Sequence, residues 1–137
     1  SAALAQALTL AGLSYAEQPT LGGRRIPQSD SPNGGWKNAG FRGYADYMQT
    51  EEFDKALDEL MIHGATERTA IMCAEAVPWR CHRSLVADAL VIRGWEVTHI
   101  LGHGQIRPHH LTTFAKVQSG RLVYPALPDP GSTLHMF

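Results

Sequence analysis

Leu4, Leu8 and Ala11 recur at helical spacing and Gly12 follows as a stop, so the chain is expected to open on a helix. Residues 13–17 are too few for a second helix and read as an extended segment entering a sheet. From 19 to 43 the pattern dissolves: Pro19, Gly22, Gly23, Pro27, Pro32, Gly34, Gly35, Gly40 and Gly43 break any regular period, and structure is expected to resume near Tyr44. Thr50 before Glu51 and Glu52 has the form of a helix N-terminus, where a hydroxyl and early acids meet unpaired amides. Phe53, Leu57 and Leu60 continue it as an apolar stripe, with Gly64 placed to end it. The run Thr-Ala-Ile-Met-Cys at 69–73 is short and apolar, as in a buried parallel strand. Near His82 the helical period returns with Leu85, Val86, Ala89 and Leu90 on one side and Gly94 beyond. Residues 97–101 read as another strand, 111–117 as a short helix, Ser119-Gly120 as a turn and 122–124 as a last strand. Pro125, Pro128 and Pro130 discourage regular structure after it.

Strand, helix and strand between Ile71 and Leu101 make a βαβ unit, whose crossover would be right-handed. The expectation is a single α/β domain over 1–137: a three-layer, Rossmann-like open sheet, mostly parallel. Composition is compatible, since 44% hydrophobic and 18% charged residues describe a globular chain, and 137 residues can bury a core without metals or disulfides. A net charge of -1 gives no support to a general nucleic-acid coat protein. No apolar run approaches the roughly 18 residues of a membrane span, so no membrane partner is expected. Two cysteines are too few for a disulfide framework and favour the reducing cytoplasm.

Candidate chemistry gathers where that sheet would end. Cys73 and Glu75 follow the strand at 69–73, and Cys81, His82 and Arg83 open the next helix, with Pro78 and Trp79 in a short connection between. Ligands in open α/β sheets bind beyond the carboxyl ends of strands, and a helix N-terminus favours negative charge. Arg80 and Arg83 strengthen that preference, and the same field would stabilise a thiolate at Cys81. Each residue also has a plainer reading: a buried strand cysteine at Cys73, a solvent-facing His82, an exposed helical Arg83, a dipole partner at Glu75. Zinc could draw on Cys73, Cys81 and His82 with His99, His103, His109 or His110, but no close Cys-x-x-Cys pair is present and no metal is expected. The sequence leaves any cofactor open, and a redox bond between Cys73 and Cys81 requires thiols within bonding distance.

A second basic cluster lies in the glycine-rich stretch, where Arg24, Arg25, Lys37 and Arg42 outnumber Asp30. Trp36, Phe41 and Tyr44 are interleaved with it, which suits a base or sugar stacked beside a phosphate, or equally a loop packed down by its own aromatics.

The run Leu21-Gly-Gly-Arg-Arg25, then Gly40-Phe-Arg-Gly-Tyr-Ala-Asp-Tyr-Met48, then Cys73-Ala-Glu75 and Cys81-His-Arg83 resembles the bacterial family called domain of unknown function 488. The order continues through His99-Ile100, Gly102, His109 or His110 and Leu111-Thr112. The resemblance implies a cytoplasmic α/β domain with Arg25, Tyr44, Cys73, Glu75, Cys81, His82, Arg83 and His99 as motif residues; the family's activity is not established. It also implies an earlier strand, helix and strand that do not precede Ser1, so the domain is expected to be N-terminally incomplete, with an open sheet edge available for oligomer formation. The function expected is that of an enzyme acting on a phosphate-bearing small molecule, a nucleotide or a nucleic-acid end. Cys81 would be nucleophile or redox centre, Glu75, His82 or Cys73 its partners, Arg80 and Arg83 the anion holders, and Arg24, Arg25, Trp36 and Tyr44 further substrate contacts. A binding module without chemistry, and a metal or redox sensor built on Cys73 and Cys81, are the rival expectations.

Overall fold

The computed structural model describes residues 2–23, 25–72 and 82–126. Among them are four α-helices, α1 (Ala2–Leu10), α2 (Ala39–Tyr47), α3 (Glu51–Thr66) and α4 (Arg83–Val91). Two hairpins follow, β1 (Thr98–Gly102) with β2 (Gln105–Pro108) and β3 (Lys116–Gln118) with β4 (Arg121–Val123).

The expected three-layer, mostly parallel Rossmann-like sheet is not the fold. Both sheets are small, two-stranded and antiparallel. A parallel pair needs a long crossover to a distant partner, whereas a glycine turn brings a partner at once. Strand β1 takes the local route: Gly102 is paired with Gln105, and Gly104 supplies a positive φ of 68° in the turn. The βαβ unit therefore does not form, because β1 pairs with β2 and residues 69–72 are in no strand, with Met72 exposed. A short apolar run reads the same whether it is a strand or a connection. The short helix expected at 111–117 is replaced by a turn and β3. Ser119 and Gly120 both take positive φ, 53° and 77°, the signature of a type I′ turn whose twist suits an antiparallel pair. Residues 13–17 enter no sheet.

The helices follow the sequence more closely. Thr50 accepts a hydrogen bond from the Phe53 amide and caps α3, with Glu51, Glu52 and Asp54 in its first turn. Gly64 does not end α3, which runs on to Thr66; its missing side chain makes room for the Trp95 ring, which a methyl group would meet at 3.1 Å. The core joins Tyr44 and Tyr47 of α2 and Met48 at its end, Phe53 and Leu57 of α3, Leu85, Val86 and Ala89 of α4, and Leu122 with Tyr124 at β4. Burial of this apolar surface is the main favourable term in folding. Helix α1 contributes nothing to that cluster, and Leu10 at its end is 82% exposed.

Residues 25–36 are held firmly in this frame. Gly43 of α2 lies so close to the backbone at Arg25 that any Cβ would overlap the Arg25 carbonyl oxygen. Buried Asp46 accepts from the Gln28 amide (2.8 Å), the Ser31 hydroxyl (2.6 Å) and the Asn33 side-chain amide (2.7 Å). Asn33 in turn accepts from the Tyr124 amide at 2.9 Å, and the Gly35 amide donates to the Tyr124 carbonyl at 2.8 Å.

Candidate functional site

The start of α4 faces the β1–β2 hairpin across a surface depression of about 200 Å³ lined by Ser84, His99, Leu101, Arg107, Pro108, His109 and His110. Its position follows from the hairpin register. His99 stands opposite Arg107, so both side chains share one face, while the neighbouring Ile100–Ile106 pair points the other way. Among the described residues that line it none is acidic.

Behind His99 runs a chain of hydrogen bonds into the core. His99 Nε2 lies 2.7 Å from His109 Nδ1, and His109 Nε2 lies 2.7 Å from Asp88 Oδ1. Asp88 is fully buried on α4. Its Oδ1 also accepts from the Thr112 amide (3.1 Å), and its Oδ2 accepts from the Thr112 hydroxyl (2.6 Å) and the Tyr124 hydroxyl (2.8 Å). A buried carboxylate without such donors would be very costly. Burial pushes the Tyr124 phenol far above its ordinary range, reinforced by the Asp88 charge, so it stays a neutral donor. Burial also lowers the His99 pKa from its ordinary 6.5, helped by His109, Arg83 and Arg107 and opposed by Asp88.

Of the side chains singled out from sequence, the structure seats several. His82 precedes α4 with its ring stacked on Tyr44 (4.3 Å between centroids, 22° between planes) and edge-on to Phe41 at 5.7 Å. Arg83 follows at the first position of α4, close enough for its charge to act on His99. Tyr44 is fully buried and its hydroxyl donates to the Leu21 carbonyl at 2.5 Å, so it belongs to the core. Trp36 is wedged among Phe114 (4.9 Å), Phe41 (5.2 Å) and Tyr124 (5.4 Å), the packed-down arrangement of the glycine-rich stretch. Arg25 holds its guanidinium over the Tyr47 ring, 3.6 Å from the centroid, and donates to the Gly22 carbonyl at 3.3 Å. Burial pushes the Tyr47 phenol up, with the Arg25 charge opposing. Cys73, Glu75, Arg80, Cys81 and Arg24 lie outside the described residues.

Asp88, Thr112 and Tyr124 were not anticipated as site residues. A signal for Asp88 existed: it is the one charged residue in the otherwise apolar stretch from Leu85 to Ile92. A lone acid in such a stretch must find hydrogen-bond donors once the helix is buried. A second depression, of about 260 Å³, lies over Asp54, Arg93 and Arg121. There Asp54 takes Arg121 at 2.9 Å and Arg93 at 3.6 Å, an ion-pair set tying α3 to β4 and to the turn after α4.

No described helix is long and apolar enough to cross a membrane. Among solved structures and curated proteins none matches this chain. One family model does, described as "Domain of unknown function DUF488", over residues 1–90, a span that includes the glycine-rich stretch, the Cys-His-Arg run and Asp88. With that much of its 137 residues matched, the chain belongs to the DUF488 family.

Proposed function

We propose that the protein is an enzyme acting on a phosphate-bearing small molecule, a nucleotide or a nucleic-acid end, at the depression between the start of α4 and the β1–β2 hairpin. The observation that carries this reading is its one-sided charge: His99, Arg107 and His110 line it, Arg83 adds its charge at His99, and no acid is among the described residues that line it. In a chain of net charge -1 this is a local concentration of cationic and protonatable groups, suited to an anion of phosphate size. Leu101 and Pro108 give the depression an apolar side against which a sugar or base edge can rest. Arg83 and Arg107 are the anion holders of this reading, with the Ser84 hydroxyl beside them. Cys81, immediately before His82 in the chain, keeps the role of nucleophile, with Glu75 and His82 as candidate proton carriers. A cytoplasmic setting, which suits a chain with only two cysteines, is part of the same proposal.

Titration of the full chain with inorganic phosphate and with nucleoside mono-, di- and triphosphates, followed by amide and histidine NMR, tests it. Binding should move the resonances of Ser84, His99 and Arg107, and Arg107→Gln should weaken it roughly tenfold, the loss of one charge-assisted contact. Phosphorus NMR of the same mixtures reads turnover, which Cys81→Ser should abolish while leaving binding intact. Binding without turnover in the unaltered protein would make this a recognition module. Absence of binding across the panel would end the anion reading.

A further inference from the structure

We infer that His99 is the proton acceptor of this site, that it works from Nδ1, and that Asp88 and His109 are positioning residues that dictate which of its nitrogens is free. The inference deepens the anion-site reading and rests on it for the ligand, but its geometry is independent of Cys81.

The argument starts at the buried end. An ionised carboxylate is an acceptor only, with about four lone-pair sites, and Asp88 has four donors around it. The Thr112 amide can only donate, and the Thr112 and Tyr124 hydroxyls have their donor geometry on Oδ2. The remaining partner, His109 Nε2, therefore carries its hydrogen. With His109 neutral, its one N–H is the one on Nε2, and Nδ1 is left as an acceptor. Only a donor can sit 2.7 Å from it, and that atom is His99 Nε2. His99 in turn has one hydrogen in its neutral form, now placed on Nε2, so its lone pair is on Nδ1. Among the described residues Nδ1 of His99 has no hydrogen-bond partner, and the ring lines the depression.

A buried Asp that orients one imidazole is a known way to ready a base. Here a second imidazole lies between, which carries the orientation from the core to the surface. The step itself is a proton transfer. An O–H or S–H group held in the depression loses its proton to the Nδ1 lone pair, and its bonding electrons stay on oxygen or sulfur as the activated nucleophile. The imidazolium formed on His99 keeps its Nε2–H bond to His109, so no hydrogen bond in the chain breaks, and the Asp88 charge offsets the new positive charge. Burial, with the neighbouring charges of Arg83 and Arg107, favours the neutral ring before the transfer, while Asp88 opposes them.

Long-range proton–nitrogen NMR of the full chain tests the assignment without any substitution. At pH 8 both histidines should show Nε2–H with an acceptor-type Nδ1, and acidification should put the new proton on Nδ1 of His99 with a midpoint below 6.5. His109→Gln, at the half-buried middle of the chain, should erase the preference and leave His99 as a mixture of both tautomers. Asp88→Asn should do the same, and if it fails to fold the other variant still decides. A Nδ1–H tautomer or a charged ring at pH 8 would overturn the inference. Inorganic phosphate added to the same sample separates the two readings. The expected tautomer with no response to phosphate keeps the base and sinks the anion site, whereas a phosphate response with the wrong tautomer does the reverse.

Discussion

Asp46 and Asp88 are both buried acids on helices, and both are wrapped in hydrogen-bond donors, yet they lead to different places. The donors on Asp46 are a backbone amide, a serine hydroxyl and an asparagine amide, none of which changes its protonation in the physiological range. One donor on Asp88 is a histidine, and that histidine meets a second at the surface. Similar burial and similar satisfaction thus give a structural staple in one case and a wired carboxylate in the other. The difference lies in whether any donor can exchange a proton with what lies beyond it.

The largest effect should come from cutting each acid out of its cage. Asp88→Asn should cost about 3 kcal/mol and Asp46→Asn about 2 kcal/mol, because an amide turns acceptors into donors facing donors. Urea unfolding at pH 7 measures both, and a loss smaller for Asp88 than for Asp46 would invert the ranking by donor number. Next, Tyr124→Phe should cost about 1.5 kcal/mol, the loss of one buried bond to a charged acceptor. It should leave hydrogen exchange at Gln28 and Asn33 unchanged, since the Tyr124 backbone still holds Asn33. If those amides open, the two cages are not separate. Ser31→Ala should cost about 1 kcal/mol and should not move the His99 resonances at all.

The smallest effect is on the pH profile, and it concerns Asp88's cage alone. The folded His99 pKa lies below the unfolded 6.5, so between the two values the unfolded chain binds more protons. Stability from this group is therefore complete above pH 6.5 and falls as the pH drops through 6.5 toward the folded value. His99→Gln should remove that slope in denaturation series between pH 7.5 and 5, whereas Ser31→Ala should retain it. A slope unchanged by His99→Gln would assign the titration elsewhere.

Much of the helical part was legible because its signals are local. Thr50, the acids after it and the stripe at Phe53 and Leu57 act within one helix, and each occupies the place its chemistry predicts. The sheet was not legible for the opposite reason. Whether residues 69–72 and 97–101 pair with each other or with something nearer depends on partners, and the turn at Gly104 decided for the nearer one. The candidate site shows the same division. His99, His109 and Arg83 stood out as chemically capable residues, but nothing adjacent to them announces Asp88, whose partners reach it from across the fold. Trp36 and Tyr44 were ambiguous because aromatics among glycines suit a ligand shelf and an internal plug alike, and here they plug.

The spacing of Asp88 from its donors also sets an order of events on the ribosome. His109, Thr112 and Tyr124 follow it by 21, 24 and 36 residues. At about 5–20 residues per second, the last of them is polymerised roughly 2 to 7 s after Asp88. For that interval α4 carries a carboxylate that belongs in the core without the groups that make the core tolerable, and water must serve in their place. Native packing of α4 against α2 and α3 is therefore held back until the second hairpin has been made. Closure of the core waits for Tyr124, its latch.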